Sequence, residues 1–338
     1  MTKRVLIADM LNLFFRSYIV DPSLSNRGIP IGGLKGVLKT LQKLVRDIRP
    51  DEIVLCWDGE GGSAKRKGIY EDYKEGRQPV RLNRFANVFS EDEELQNKVW
   101  QQRRLIEYLN LMPVIQFKFE GTEADDVIAF VSRHPFYESW QKVIVSSDKD
   151  FYQLCDDSTI IFRPVKKKDK EGKLLPNQLV SVPSLLEEHA IHPNNFALAR
   201  ALAGDKSDNL EGVGGIGLKT AAKRFPMLYE EKSYTAADII KHSKLTLEKN
   251  KKTIKAYQNV IENSDILERN YKMMQLYIPS LSYKSKVYIK TVLNKFEFFV
   301  NKTEITKMMI TDGFVDLNLM TLFTKFNKII IDQNFRKE

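Results

Sequence analysis

Cysteine and histidine are scarce in this chain. Among 338 residues there are two cysteines, Cys56 and Cys155, both in apolar contexts, VLCWD and FYQLC. They read as reduced core residues, which argues against a disulfide framework. The absence of any CxxC or clustered Cys/His spacing argues against a structural zinc site. The four histidines, His134, His189, His192 and His242, fall near segment ends and form no metal motif. No Ser/His/Asp or Cys/His arrangement suggests a protein nucleophile. Long apolar runs are missing too: no segment approaches the roughly 20 residues that span a bilayer. The start, MTKRVLIADM, runs into a strand without signal-peptide organisation. A soluble, cytoplasmic protein without a membrane partner is expected.

Lysine and arginine outnumber the acids by 53 to 44, for a net charge of +9, and 43% of residues are apolar. That content is ample for a real core, in two domains or one large one. Many of the acids are concentrated in one pattern, so the remaining surface is more basic than +9 suggests, which favours a polyanionic partner.

Arg4–Ala8 is a short apolar run ending at Asp9 and reads as a buried parallel strand. Leu11–Ile19 has helical spacing, and Gly32–Ile48 carries an apolar period of three to four that Pro50 closes. Glu52–Trp57 is a second strand delivering Asp58. Strand, helix, strand implies a parallel α/β sheet with right-handed crossovers. From Gly59 to about Asn97 no apolar face is sustained, as in a mobile excursion from the core. Then follow a helix at Lys98–Leu109, a strand at Pro113–Phe117, a helix at Glu123–Arg133 and a strand at Lys142–Ser146. A short helix at Asp150–Leu154 and a strand at Thr159–Arg163 come next, and KKKDKEGK at 166–173 reads as a solvated hairpin tip. Helices then dominate: Val182–His189, Asn195–Ala203, Leu218–Phe225 and a lysine-rich one near Leu247–Asn263. No motif stands out after about Leu293, and no internal repeat is evident.

Ten acids lie at the ends of apolar runs: Asp9, Asp58, Glu123, Asp125, Asp126, Asp148, Asp150, Asp156, Asp205 and Asp208. In an open α/β sheet, ligands gather at the carboxyl ends of the strands, the edge that Asp9, Asp58 and Asp148 would share. Glu123, Asp125 and Asp126 open a helix whose N-terminal dipole tolerates anions. Asp205 and Asp208, three apart, face one way on a helical turn. Taken singly, each acid could be a cap or turn residue, with Thr122 and Asp125 or Asp148 as examples. As a set they require cations. Hard oxygen donors favour Mg²⁺ or Mn²⁺, and so many carboxylates imply two ions. Such a pair suits metal-dependent phosphodiester hydrolysis.

These residues resemble the 5′ nuclease family, the flap endonucleases and 5′-to-3′ exonucleases that occur free-standing in bacteriophages and at the N-terminus of bacterial DNA polymerase I. The resemblance rests on VLIAD with downstream Arg16, LCWDG, YKEGR, GTEADDVIA, VSSDKDFYQL and GDKSDNLEGVGGIGLKTA, over roughly residues 4–225. It implies a PIN-like α/β fold, a parallel sheet flanked by helices, followed by a helical helix-hairpin DNA-binding region. The expected division is a nuclease core at 1–180 with an arch insertion at about 59–97, a DNA-binding region at 181–290 with its module at about 195–225, and an extension at 291–338. It implies that Asp9, Asp58, Glu123, Asp125, Asp126 and Asp148 serve the cleavage-site ion, while Asp148, Asp150, Asp205 and Asp208 surround the second. Asp156 falls outside these motifs and reads as a turn residue. Met10 stands where the family often has glycine, and Glu211 where it usually has proline; neither removes a ligand. No polymerase-like region follows, as in a stand-alone enzyme of the phage type, for which the host cytoplasm is the expected location.

EGVGGIGLKTAAKRF reads as a glycine-rich hairpin opening into a helix, in which Gly212, Gly214, Gly215 and Gly217 let backbone N–H groups approach phosphate. Lys219, Lys223 and Arg224 add charge, and the resemblance implies a duplex-gripping module with K⁺ as its monovalent cation. In the 59–97 excursion Lys65, Arg66, Lys67, Tyr73, Lys74, Arg77, Arg81 and Arg84 mix cations and rings in a way that suits single-stranded nucleic acid. In relatives this is the arch that passes a 5′ end, and residues matching Lys74 and Arg77 contact the reacting phosphate and could stabilise its charge. The lysines at 249, 251, 252 and 255 form an exposed helix face. The expected function is hydrolysis at single-strand/duplex junctions, exonucleolytic and at flaps, on DNA and RNA:DNA duplexes, with ribonuclease H-like primer removal in replication. Expected partners are single-strand-binding protein or other replication proteins, and the expected state is a monomer. Two alternatives stay open: a PIN-type single-strand ribonuclease, which lacks the GDKSDNLEGVGGIG module, and a non-catalytic junction-binding protein.

Overall fold

The computed structural model describes residues 2–76, 89–164, 178–249, 254–314 and 317–334. Arg77, Arg81, Arg84, the 166–173 run, Lys251 and Lys252 lie outside them. Among the described residues, six strands form one sheet in the order β3-β2-β1-β4-β5-β6: β1 Arg4–Asp9, β2 Glu52–Trp57, β3 Ile115–Lys118, β4 Gln141–Val145, β5 Thr159–Arg163 and β6 Gln178–Val180. All neighbours pair parallel except β5 with β6. The chain builds outward from β1 through β2 to β3, then restarts on the other side with β4. The strand order therefore reverses between β1 and β4, the crevice where such sheets take ligands.

Alternation along the strands sorts the core into two layers. Val5 and Ile7 of β1, Val54 and Cys56 of β2, and Ile144 of β4 face α5 (Ala124–Ser132), α7 (Pro193–Ala203) and α11 (Ser264–Met274). Leu6, Ala8, Leu55, Val143 and Val145 face the other way. They meet α1 (Met10–Val20), α2 (Gly32–Ile48), α4 (Glu91–Asn110) and α14 (Met320–Asn334). On α2 the apolar stripe is buried from Leu34 to Ile48, each fully buried Leu or Val side chain contributing about 1.5–3 kcal/mol.

Several boundaries differ from expectation. The 59–97 excursion is structured at both ends: α3 (Ala64–Lys67) follows β2, and α4 begins at Glu91. Ser90 and Glu93 form a reciprocal capping box there, a signal that SEDEE carried in plain view. The helix expected near 247–263 is two helices, α9 (Ala236–Lys249) and α10 (Lys255–Glu262). Beyond 291, α13 (Lys302–Thr311) and α14 are regular, and α14 packs on α2. The apolar layer beneath α5 runs from Val5 through Val180 and Leu185 to Leu293, so no separate core marks a boundary at 180/181. Among the described residues no helix is long and apolar enough to cross a membrane.

Candidate metal centre and nucleic-acid interface

Strand parity decides where the acids go. Asp9 continues the Val5, Ile7 series and Asp58 the Val54, Cys56 series, so both leave on the α5 face, while Asp148, three residues past β4, is tied to the same edge through the Ser146 hydroxyl, which accepts from Asp148 N at 3.1 Å and donates to Asp9 at 3.3 Å. Three of the acids also cap. The Asp9 carboxylate accepts from Asn12 N at 3.0 Å at the start of α1. Asp148 accepts from Asp150 N at 2.8 Å over the 3₁₀ turn Lys149–Leu154. Asp205 accepts from Ser207 N at 2.8 Å over Lys206–Asp208. The capping reading and the clustering reading are thus both true of these residues. Thr122 does not cap α5; that position is Glu123. Asp156 closes a turn through Ser158, as expected.

Asp58 reaches sideways, accepting from Ala124 N at 2.6 Å, which pins the end of β2 to the first turn of α5. This brings Asp125 beside the strand-end acids. Burial raises the Asp9 carboxyl to about 7, the charges of Asp58 and Asp148 adding to it against the Asn12 bond. Burial, then the charge of Asp148, likewise raises Asp150 to about 7. Asp125 is pushed well up by burial, Asp148 and Asp9, and Asp58 and Asp148 are raised chiefly by burial. Five carboxyl groups that resist ionising in one place form a site short of positive charge.

Among the described residues, three side chains supply part of that charge. Arg66 donates to Glu123 and Asp126, and Lys74 donates to Glu123. Burial works against ionising Glu123, but these two cations outweigh it and hold its carboxyl below the usual range. Arg200, which the sequence reading passed over, donates to Asp150 at 3.0 Å and to Asp205. Its only advance signal was position: Arg200 lies in the last turn of α7, five residues before Asp205, and the chain leaves the helix at Gly204 (φ +74°).

These contacts alter several expectations. Arg66, expected on nucleic acid, turns inward to the acids and to the Met273 carbonyl. Tyr73, expected to stack on bases, is 3% exposed and belongs to the apolar core, its hydroxyl 3.4 Å from Glu123. Aromatic character alone did not distinguish a core ring from a contact ring. Both oxygens of Asp126 are engaged, by Ser280 N at 2.6 Å and by Arg66. Arg16 is half-buried with its guanidinium on the Pro164 carbonyl. The arch base is stitched to the GDKSDN turn: Lys74 N donates to Asp208 O at 2.9 Å and Asn209 Nδ2 to Asp72 O at 2.9 Å.

Among the described residues no three His, Cys or carboxylate side chains form a finished ligand set. The donor chemistry nevertheless fits hard divalent ions. Asp125, Asp150 and Asp208 line one cavity of about 10 Å³, about one water-sized sphere.

In the glycine-rich hairpin, Gly212 serves packing instead of phosphate approach. A Cβ there would meet the Ala203 carbonyl at 2.4 Å, and the facing Gly204 has φ +74°. Gly215 (φ +76°) and Gly217 have open space where a side chain would stand, and Gly214 faces only Asn259, whose Nδ2 holds the Gly214 carbonyl at 2.7 Å. Lys219 and Lys223 are exposed and Arg224 is partly buried. Buried Asn270 ties the Glu211 and Ala201 carbonyls at 2.7 and 3.1 Å, securing the turn that carries Glu211 in place of proline. Met10 is buried at the start of α1.

The family described as 5′-3′ exonuclease, N-terminal resolvase-like domain, matches residues 4–181. The chain belongs to this family. A 5′-3′ exonuclease of Streptomyces coelicolor is 33% identical over 223 residues, 64% of this chain and 70% of that protein. DNA polymerase I of Caldicellulosiruptor bescii is 30% identical over 221 residues, 65% of this chain, which thereby spans only 24% of the polymerase. Among solved structures, T5 5′-exonuclease with bound zinc superposes at a TM-score of 0.61 with 20% identity, covering 90% of this chain and 99% of that one. The bacteriophage T5 flap endonuclease in a pseudo-enzyme-product complex with DNA and metal ions gives 0.61 with 19% identity and the same coverage. At these identities the likeness is one of fold, and it extends through the helical C-terminal part. Nuclease chemistry therefore belongs to the exonuclease family, on a mostly parallel sheet flanked by helices.

Proposed function

We propose that this chain is a divalent-metal-dependent 5′ nuclease that hydrolyses phosphodiesters at single-strand/duplex junctions, as exonuclease and flap endonuclease, and removes RNA primers from RNA:DNA duplexes. The observation that carries it is the convergence of Asp9, Asp58, Asp125, Asp148 and Asp150 at one sheet edge with carboxyl groups raised together. Two Mg²⁺ ions, or Mn²⁺ in their place, would be held by Asp9, Asp58, Glu123, Asp125 and Asp148 and by Asp148, Asp150, Asp205 and Asp208. When bound they supply Lewis-acid activation of water and neutralisation of the leaving oxygen.

The chain's own residues do the rest. Lys74, held in a left-handed backbone conformation against the Asp208 carbonyl, keeps its ammonium beside Glu123. From there it can turn to a scissile phosphate and balance its developing charge, a role shared with Arg77. The open backbone at Gly214, Gly215 and Gly217, with Lys219 and Lys223, grips duplex phosphates without reading sequence, K⁺ assisting at the hairpin. Asp126 acts as a positioning residue tied to Ser280. We place the enzyme as a cytoplasmic monomer, in a phage host where that applies, working beside single-strand-binding and other replication proteins.

Product mapping on 5′-labelled flap, nicked and RNA-primed duplexes, with Mg²⁺ and with EDTA, tests this reading. Metal-dependent release of short 5′ products is expected; intact substrates with Mg²⁺ overturn it.

A further inference from the structure

At the free edge of the sheet lies a cavity of about 570 Å³, between β3 and α12 (Tyr283–Lys295). We propose that it binds single-stranded nucleic acid, taking one unpaired nucleotide with its base against Tyr288 and Phe119 and its phosphate between Lys118 and Lys284. The proposal rests on the nuclease reading and extends it to where the unpaired arm goes after leaving the acids.

Composition of the wall carries the argument. In a chain with 44 acidic residues, none of the described residues lining this cavity is acidic, while Lys118 and Lys284 are both exposed on its rim. The whole of α12 has four lysines, Lys284, Lys286, Lys290 and Lys295, and no acid. Two of its rings face solvent, Tyr283 at 82% exposure and Tyr288 at 56%. Tyr288 is braced edge-on by Phe117 and Phe119, with centroids at 6.5 and 5.9 Å, so its outward surface is held ready. The polar floor is also fixed: Trp57 Nε1 donates to Gln116 Oε1 at 3.0 Å, and Gln116 Nε2 donates to Asn110 at 2.7 Å. A braced ring in a wall that also carries two exposed lysines matches a base joined to its phosphate. The size lies within the range of small-ligand pockets, about 300–1,000 Å³.

Position links the cavity to the acids. Trp57 immediately precedes Asp58, and by strand parity its side chain leaves on the opposite face. Gly59 joins the two sides. A Cβ there would collide with the Phe119 carbonyl at 1.7 Å, and Gly59 N donates to Thr122 O at 2.9 Å. The cavity and Asp58 therefore adjoin at the carboxyl ends of β2 and β3, where Trp57, Lys118 and Phe119 line the cavity wall.

The test measures anisotropy of the full chain in EDTA on two labelled duplexes, one without an arm and one with a 5′ arm of about 15 nucleotides. The Lys118→Glu/Lys284→Glu double variant, and separately Tyr288→Ala, should each lose roughly tenfold in affinity for the armed duplex, in line with the worth of a stacked base. Affinity for the armless duplex should stay within about twofold. The lysine variant changes exposed side chains only, so it keeps the test valid if Tyr288→Ala unfolds. Unchanged binding of the armed duplex, or an equal loss on both duplexes, overturns the proposal. So does displacement of labelled oligothymidylate by polyglutamate of equal length at lower concentration than by unlabelled oligothymidylate, which would make the site one for acidic peptide. Failure of the unaltered chain to cut either duplex with Mg²⁺ is a separate result that strikes the nuclease reading alone.

Discussion

Arg200 Nε donates to the Asp150 carboxylate at 3.0 Å, joining the end of α7 to the turn after β4 across fifty residues of sequence. The same guanidinium also holds Asp205. Two acids expected beside the second ion are therefore bridged by a cation of the chain itself. Removing it leaves two anions close together, and breaking a buried pair of this kind costs about 3–5 kcal/mol. Arg200→Ala should lower the melting temperature strongly in EDTA and much less in Mn²⁺. Equal losses in both solutions would show that the arginine does not substitute for metal charge.

Proton linkage gives a second prediction. Asp9 and Asp150 are raised to about 7 from the usual value of 3.8. Between these values the folded, metal-free chain binds more protons than the unfolded one, so its stability is greatest below pH 4 as far as these groups are concerned and declines as pH rises through 7. Melting in EDTA should fall between pH 5 and pH 8, a range chosen from those two values. Saturating Mg²⁺ should flatten that fall, since binding displaces the protons. A metal-free melting temperature that rises over the same range would contradict the shared acidic site.

Asp148 lies between the two groups of acids, capping the turn that carries Asp150. Asp148→Asn keeps a cap but removes an anion, so cleavage should drop by at least a thousandfold, on the order expected for losing a central electrostatic group. Junction binding should remain. Normal turnover would refute the assignment.

Lys74→Ala should slow single-turnover cleavage by roughly a hundredfold or more, with junction affinity altered less than threefold. The comparison of single-turnover rate with equilibrium binding checks it. Equal losses in both would remove the transition-state role and leave Lys74 as a counter-ion of Glu123.

Tyr73 separates a core role from a stacking role. Its ring is buried and its hydroxyl only weakly placed on Glu123. Tyr73→Phe should leave single-strand affinity and cleavage within about threefold, while truncation to alanine should cost about 3–5 kcal/mol of stability. A large affinity loss in the phenylalanine variant with unchanged melting would restore the ring to the nucleic-acid path.

Much of the frame was legible locally. Gly32–Ile48 and Glu52–Trp57 are bounded as their periodicity indicates, because a stripe repeating every three to four residues, or a short β-branched run, has one favourable way to bury itself. Asp9, Asp58 and Asp148 could be placed at one edge because parallel strands share a direction. Ser90 and Glu93 are equally readable, a capping pair that marks the start of α4 inside a run of acids without an apolar stripe of its own. By contrast, nothing local separates Tyr73 from an exposed tyrosine, or Gly212 from a phosphate-facing glycine. Each answer depends on what another segment brings to within contact.

The sequence by itself determined the parallel sheet, the carboxylate-bearing strand ends and the glycine-rich hairpin, since these follow from periodicity and from backbone geometry over a few residues. Tertiary structure alone decided how the charges are distributed. Arg66 and Arg200 face inward, Asp126 is tied to Ser280, and Lys118 meets Lys284 across an edge pocket. Electrostatic energy depends on separation through space and on burial, and neither is encoded in distance along the chain.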